Sequence, residues 1–366
     1  MKAWSSRYPI AVDFSDSTAA VALQMTSRAG LPSLRATLYR DVVSTGPAMA
    51  LSDEDEVAFV REVLRSGAFK GPSIALLPPL DAILTYPIRV TPGKQETVDA
   101  AIVREVRGIL DFPIEEAILD CASLQPDPAG AKGTSLALVV VMRKAEVDRH
   151  LRLVKQAGGV LELIESASTA LSRAHLGSSV FGAAPVLLCH IGHSQSAIVV
   201  ASREGILAHR NVAWGTRGLT QKLAENLRLE GGARDVEFLL RRHGLLHAIT
   251  GESDTPAATG GEAASSVVAQ LLAPLAEQLA HELHNVLGYV RSMASGATFG
   301  GAFLYGDGAR IGGLAPYLER ELNMPASVLN PLGSLGVGRG CIVPDPVDGP
   351  VYALALGLGR RRVRWI

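Results

Sequence analysis

Histidine and cysteine side chains often carry metal or nucleophilic chemistry, but this sequence spaces them poorly for either. His190 and His193 lie three residues apart on a predicted turn, and a histidine pair alone does not complete a metal shell. The segment 281–284 reads HELH, which lacks the HExxH spacing and is simpler to interpret as a solvated helix face. The cysteines, which are Cys121, Cys189 and Cys341, are odd in number and far apart, so neither a disulfide framework nor a zinc ribbon is indicated. No GxSxG, Walker A or strand-linked GxGxxG motif occurs, which leaves nucleophilic and dinucleotide chemistry without support.

Two segments instead place small polar residues between apolar runs. The first reads PIAVDF-SDST-AAVALQM from Pro9 to Met25, and the second reads PVLLCHI-GHSQ-SAIVVA from Pro185 to Ala201. Each pattern predicts a β-hairpin with a tight turn. The equivalent positions are Asp13 and His190, Ser15 and Gly192, and Ser17 and Ser194. Two hairpins, one opening each half of the chain, favour a duplicated architecture; chance similarity between two hairpins is the alternative.

The elements around these hairpins alternate between strands and helices. Between the hairpins the apolar spacing predicts β-α-β-β-α-β, a compact α+β insertion. Helices are predicted over 218–229 and 233–243, and a Gly/Ser/Thr/Ala-rich surface loop over 249–264. A long helix follows with an apolar face from Leu275 to Val290, and Pro274 either begins or kinks it. A strand at 302–305 then leads into Gly306, Asp307 and Gly308.

Length and composition place this chain among soluble, cytoplasmic proteins of about two domains. It has 366 residues, of which 48% are hydrophobic and 19% are charged, below the roughly 25% of an average soluble domain. The formal net charge is -1, so no global field would attract nucleic acid. We expect no signal peptide, because the N-terminus lacks an apolar core, and no apolar run is long enough to span a bilayer.

The hairpin pair and the late Gly-rich turn resemble the sequence layout of actin-like ATPases. Five further segments occur in order over nearly the whole chain: LDFPIEEAILD from Leu110, LELIESASTALSRA from Leu161, WGTRGLTQ from Trp214, ELHNVLGY from Glu282 and YALALGL from Tyr352. These segments resemble motifs of the PilM family of type IV pilus assembly proteins, relatives of FtsA. The resemblance implies an α/β, actin-like (ribonuclease H-like) two-lobed fold with an α+β insertion subdomain.

The implied division of the chain has four parts. The first lobe core takes residues 1–85, 160–184 and 344–366; the insertion takes 86–159; the second lobe core takes 185–215 and 297–343; and a helical subdomain takes 216–296.

The resemblance also implies a nucleotide site, in which both hairpins clamp the phosphates and the Gly-rich turn packs on the adenosine. Carried onto this sequence, its residues are Asp13, Ser15, Ser17, Thr18, His190, Gly192, Ser194, Gly306, Asp307 and Gly308. The departures speak against bound ATP and magnesium. Ser15 replaces a glycine, Asp16 adds a carboxylate that would repel phosphate, and His190 replaces an aspartate that orders magnesium-bound water.

A scaffold that docks a peptide is therefore the favoured interpretation. The resemblance implies as partner an N-terminal cytoplasmic peptide of a bitopic inner-membrane pilus or secretion protein, bound around the first lobe and its insertion, which would hold this chain peripherally at the inner membrane. Phe112 and Pro113 are candidate partner-binding residues, although Phe112 alternatively packs in the insertion's own core. An assembly ATPase is a further candidate partner, and so is anionic lipid at the basic tail 360–366, for which a helix terminus complemented by cations is the alternative.

Two other functions remain open at this point. One is a cytoplasmic component of a type II secretion platform with the same fold. The other is an active kinase or ATPase of the actin-like superfamily, which should retain both hairpin aspartates.

Overall fold

The computed structural model describes residues 8–28, 31–41, 51–127, 133–175, 182–227, 233–250, 260–293, 297–338 and 340–361. The strands in chain order are β1 Ile10–Asp13, β2 Ala19–Arg28, β3 Leu31–Asp41, β4 Ser73–Leu77, β5 Ile83–Val90, β6 Ala117–Pro126, β7 Ser135–Arg143, β8 Val160–Ile164, β9 Val186–Ile191, β10 Ser196–Ala201, β11 Ile206–Val212, β12 Ala302–Tyr305, β13 Ala326–Val328 and β14 Gly336–Val337. The α-helices are α1 Asp53–Arg65, α2 Val98–Arg107, α3 Lys144–Ala157, α4 Ala167–Ala174, α5 Thr216–Leu227, α6 Ala233–Arg242, α7 Leu246–Thr250, α8 Gly260–Met293, α9 Leu314–Leu322 and α10 Ala353–Gly359.

These strands form three sheets. The sheet of the first lobe has the strand order β14-β3-β2-β1-β4-β8, and the sheet of the second lobe has the order β11-β10-β9-β12-β13. In each lobe the hairpin strands pair antiparallel, and the first strand of the hairpin also pairs parallel with a later strand, β4 or β12. All residues of β1 and β9 are buried, as expected for strands covered on both faces. Both predicted hairpins are therefore confirmed, at equivalent places in the two sheets.

Helices α4 and α10 lie where the two lobes meet. Ala170 and Leu171 of α4 and Leu354 of α10 belong to a buried cluster that also contains Ala11 of β1 and Val199 of β10. Because this cluster draws side chains from both lobes, the two hairpins are positioned relative to each other by one continuous core.

The insertion is a three-stranded antiparallel sheet in the order β5-β7-β6, with α2 on one face. The predicted order of its elements is confirmed, and the division of the chain at 86–159 stays a prediction. The sheet begins at Ile83, and Leu153 and Val154 of α3 pack in the first-lobe core with Ile74. Apolar periodicity identifies α3 as amphipathic, but which sheet covers its apolar face depends on tertiary packing.

The long helix of the second lobe differs most from the sequence prediction. We expected a surface loop through residue 264, whereas α8 begins at Gly260 and contains Pro274 in its interior. Val268 and Leu272 of its first half are buried in the second-lobe core, and this packing outweighs the cost of the proline. The predicted apolar face up to Val290 is confirmed as core. Residues 251–259 of the expected loop, and 362–366 of the basic tail, lie outside the described residues.

Candidate functional site

The turn of the first hairpin is organised by two aspartates. Asp13, the last residue of β1, is buried and accepts a hydrogen bond from the Ser15 backbone N–H at 2.9 Å. Burial raises the pKa of Asp13 to about 6, and the nearby charge of Asp16 adds to the rise. Asp16 Oδ1 accepts hydrogen bonds from both the backbone N–H and the Oγ1 hydroxyl of Thr18, each at 2.9 Å. The first hairpin therefore places the Asp13 and Asp16 carboxylates close enough for the charge of Asp16 to act on Asp13.

The turn of the second hairpin is hydrogen-bonded to the beginning of α5. The Thr216 N–H donates to the Gly192 carbonyl at 3.0 Å, and the Arg217 N–H donates to the His193 carbonyl at 2.8 Å. His190 is buried, and this burial lowers its pKa to about 4. His190 is therefore neutral near pH 7 and carries none of the negative charge that the equivalent aspartate would supply to a magnesium site.

The two turns are in direct contact across the cleft. The His193 backbone N–H donates to Asp16 Oδ2 at 2.9 Å, and the hydroxyls of Ser17 and Ser194 are hydrogen-bonded at 2.9 Å. A Cβ added at Gly192 would lie 3.2 Å from Asp16 Oδ2 and 2.8 Å from the Gln195 carbonyl oxygen. Gly192 is thus the residue whose missing side chain permits this close approach.

The Gly-rich turn presses against the second hairpin. A Cβ added at Gly306 would lie 2.3 Å from the Ile191 carbonyl oxygen, and one at Gly308 would lie 2.0 Å from Ile191 Cγ2. His190 Nε2 would be 3.1 Å from the Gly306 Cβ. The predicted site residues of both hairpins and of the Gly-rich turn therefore meet in one region, and their role in nucleotide binding stays a prediction.

A network of ion pairs beside this region was missed by sequence reasoning. The buried Arg310 guanidinium lies 3.1 Å from both Asp307 Oδ1 and Asp348 Oδ1, and Arg241 pairs with Asp307 at 3.6 Å and with Glu237. Partial burial raises the pKa of Asp307 to about 6, against the lowering effect of Arg241. The sequence signals for this network are the i,i+3 spacing of Asp307 and Arg310 and the i,i+4 spacing of Glu237 and Arg241.

Phe112 is buried in the insertion. It packs in the insertion core against Val106 of α2 and Val139 of β7, and the Arg143 guanidinium carbon lies 3.7 Å from its ring centroid. This burial agrees with the alternative that Phe112 packs in the insertion's own core, and its role in partner binding stays a prediction. Pro113 is exposed, and its role in partner binding stays a prediction.

A groove of about 550 Å³ lies on the opposite face of the insertion sheet, between that sheet and the first lobe. Its walls are the groove-facing side chains of β6 and β7, the edge strand β8 and one side of α3; they include Ile118, Ala122, Val140, Met142, Leu151 and Leu161 to Ile164. At one end Arg173 forms two hydrogen bonds with the Glu165 carboxylate, at 2.5 and 2.6 Å, and Arg361 lies 3.7 Å from it. Strand geometry puts Ile118 and Ala122 on the face opposite Ala117 and Leu119. Both faces are mostly apolar, so the sequence carries no signal for which one forms the groove.

Two features are absent from the part of the chain that the structure describes. No group of three or more His, Cys, Asp or Glu side chains there is placed to hold a metal ion. Among the same residues, the helices are all too short or too polar to cross a membrane.

Two lobes that each present a hairpin to a shared cleft, with a Gly-rich turn at its rim, define the actin-like fold, and the comparisons agree. The structure is similar to a chain of the PilM–PilN type IV pilus biogenesis complex, with a TM-score of 0.77 and 20% identity, over 98% of this chain and 99% of that chain. It is also similar to the ethanolamine utilization protein EutJ from Carboxydothermus hydrogenoformans, with a TM-score of 0.53 and 14% identity over 96% and 89%.

A third similar structure is MreB 5 of Spiroplasma citri bound to AMPPNP, with a TM-score of 0.51 and 10% identity over 96% and 94% of the two chains. No protein-family model and no curated protein sequence matches significantly. The likeness therefore rests on three-dimensional structure, and it confirms the predicted fold class.

Proposed function

We propose that this chain is a PilM-like scaffold on the cytoplasmic side of the inner membrane, where it captures an extended peptide from a bitopic pilus protein. The observation that carries the proposal is the full-length likeness to the PilM–PilN complex at a TM-score of 0.77, against 0.51 for the AMPPNP-bound MreB 5. That neighbour is part of a complex between PilM and PilN. A partner of the same kind is the simplest expectation for this chain.

The groove between the insertion and the first lobe is the proposed peptide site. Strand β8 pairs only with β4 within the described sheet order, so its outer edge faces the groove with backbone N–H and C=O groups available. A peptide can add to such an edge through backbone hydrogen bonds while its side chains enter adjacent pockets. Ile118 and Leu151 are 44% and 43% exposed in the walls, which supplies apolar surface for those side chains.

The hairpin cleft supports a binding function better than nucleotide chemistry. Asp16 places a carboxylate against the backbone N–H of the second hairpin, where a phosphate oxygen would have to lie, and two like charges cannot share that position without a large cost. The residues present therefore do not fit the phosphates of a nucleoside triphosphate, and the proposal includes no catalytic step.

Titration calorimetry tests the proposal. Synthetic N-terminal cytoplasmic tails of the bitopic pilus and secretion proteins of the source organism are titrated into the full chain, and we expect saturable one-to-one binding by a pilus tail. Capture of a secretion tail alone would instead favour the type II secretion platform. The absence of binding by every tail would refute the scaffold proposal.

Two matched variants locate the site. Ile118 in the groove wall and Ile109 elsewhere in the insertion are 44% and 46% exposed, so Ile118→Asp and Ile109→Asp disturb folding to a similar, small extent. Ile118→Asp should weaken peptide binding at least about 10-fold, since a carboxylate would be desolvated against the peptide. Ile109→Asp should leave binding unchanged. Equal binding by both variants would place the peptide outside this groove.

A further inference from the structure

We propose that Asp16 acts as an internal anion that bridges the two lobes and closes the hairpin cleft to external phosphate. The interlobe bridge consists of the Asp16–His193 and Ser17–Ser194 hydrogen bonds. This inference goes beyond the scaffold proposal, because it concerns the hairpin cleft rather than the groove and requires no particular partner.

The first lobe fixes the carboxylate in place. Asp16 Oδ1 accepts from the backbone N–H and the hydroxyl of Thr18, each at 2.9 Å, and these two bonds hold the side chain within its own turn. This leaves Oδ2 directed at the other lobe, where it accepts from the His193 N–H at 2.9 Å. One carboxylate oxygen therefore accepts hydrogen bonds from the first lobe, and the other accepts one from the second lobe.

The second lobe presents a donor whose direction is fixed independently. The carbonyl groups of Gly192 and His193 are both hydrogen-bonded to backbone N–H groups of Thr216 and Arg217 at the beginning of α5. These bonds orient the intervening peptide group, so the His193 N–H faces the cleft. A directed backbone N–H in a tight turn is a typical anion-binding group, and a charged acceptor makes its hydrogen bond stronger than a neutral one does. Asp16 supplies that anion from within the chain.

The His193 N–H already has its acceptor, and the groups beside it are closely packed. A Cβ at Gly192 would already be 3.2 Å from Asp16 Oδ2, and the Ser17 and Ser194 hydroxyls meet beside it at 2.9 Å. An external phosphate oxygen must displace the Asp16 carboxylate before it can accept from His193. The hairpins are thus held together in the absence of nucleotide, and nucleotide binding is inhibited by the same contact.

Asp16→Asn is the informative substitution. With its oxygen retained by Thr18, the asparagine turns an NH₂ group towards the His193 N–H, so the bond across the cleft is lost while the first turn keeps its acceptor. Asp41→Asn is the matched control. Asp41 is a first-lobe carboxylate that accepts from the Tyr39 hydroxyl at 2.8 Å on its own strand, and its amide oxygen can retain that bond.

Two measurements on the full chain test the proposal. Hydrogen exchange at the His193 amide should be at least about 10-fold faster in Asp16→Asn than in the unaltered chain, and unchanged in Asp41→Asn. Affinity for magnesium–AMPPNP, measured by calorimetry, should rise at least about 10-fold in Asp16→Asn only. Unchanged exchange at His193 would overturn the bridge, and equal AMPPNP affinity in all three proteins would overturn the claim that Asp16 excludes phosphate. Neither result depends on peptide capture, so failure here is separable from failure of the scaffold proposal.

Discussion

Gly357 lies at a tight contact between α10 and α4, the two helices found where the lobes meet. In α10, a Cβ added at this position would lie 1.7 Å from the Ala170 carbonyl oxygen of α4 and 2.5 Å from its carbonyl carbon. The atoms in its way are backbone atoms, so no change of rotamer relieves the clash. Gly357→Ala should therefore force α4 and α10 apart.

The size of the effect follows from the geometry. Ordinary contact begins near 3.4 Å, so relief requires a separation of about 1.7 Å, far more than the small shifts that a packed core tolerates. Overpacking typically costs about 1–3 kcal/mol, and here the shift also opens the cluster shared by Leu171 and Leu354. The gain in helix propensity from glycine to alanine is only about 1 kcal/mol. We expect the free energy of unfolding to fall by at least about 3 kcal/mol.

Urea denaturation followed by circular dichroism measures this loss. Gly288→Ala in α8 is the control, because an added Cβ there meets nothing within 4 Å, and it should be neutral or stabilising by up to about 1 kcal/mol. A Gly357→Ala protein as stable as the Gly288→Ala protein would refute the tight α4–α10 crossing and the shared core built around it.

Three further expectations concern other parts of the molecule. Phe112→Ala should lower the free energy of unfolding by about 3–5 kcal/mol because it empties the insertion core, whereas Pro113→Ala should stay within about 0.5 kcal/mol; equal effects in urea denaturation would contradict this assignment. Burial lowers the pKa of His209 to about 4, so the stability that its neutral form contributes is complete above its ordinary pKa and is lost as pH falls from about 6.5 towards 4. His209→Gln should therefore reduce the stability lost between pH 7 and 5 by about 2 kcal/mol, and an unchanged loss would count against it. The unaltered chain should hydrolyse magnesium–ATP far below about 1 s⁻¹, while Asp16→Gly combined with His190→Asp should bind it more tightly; turnover near that rate, or unchanged affinity, would show that the cleft has been misinterpreted.

The sequence predicted the hairpins well because their signals are local. Apolar runs interrupted by SDST and GHSQ mark β1–β2 and β9–β10 within a few residues of their observed bounds, since tight turns depend on the residues that form them. Asp16 was singled out in the first of these turns because it departs from the pattern of the family that the chain resembles. Its bond to the His193 N–H could not be predicted, because that donor comes from a residue 177 positions away.

The groove and the position of Phe112 show what local patterns leave undecided. The sequence marked 110–120 as part of an insertion, but the burial of Phe112 and the use of the opposite face as a groove depend on where α2 packs. Likewise α8 extends through Pro274 because its first half is buried in the second lobe. By itself, the sequence determined the two hairpins and the order of elements in the insertion, since periodicity and turn chemistry are properties of neighbouring residues. The two-lobed fold followed from the resemblance of several ordered segments to a known family. Tertiary structure alone decided which faces are buried and which groups meet across the cleft, because these depend on contacts between residues far apart in the chain.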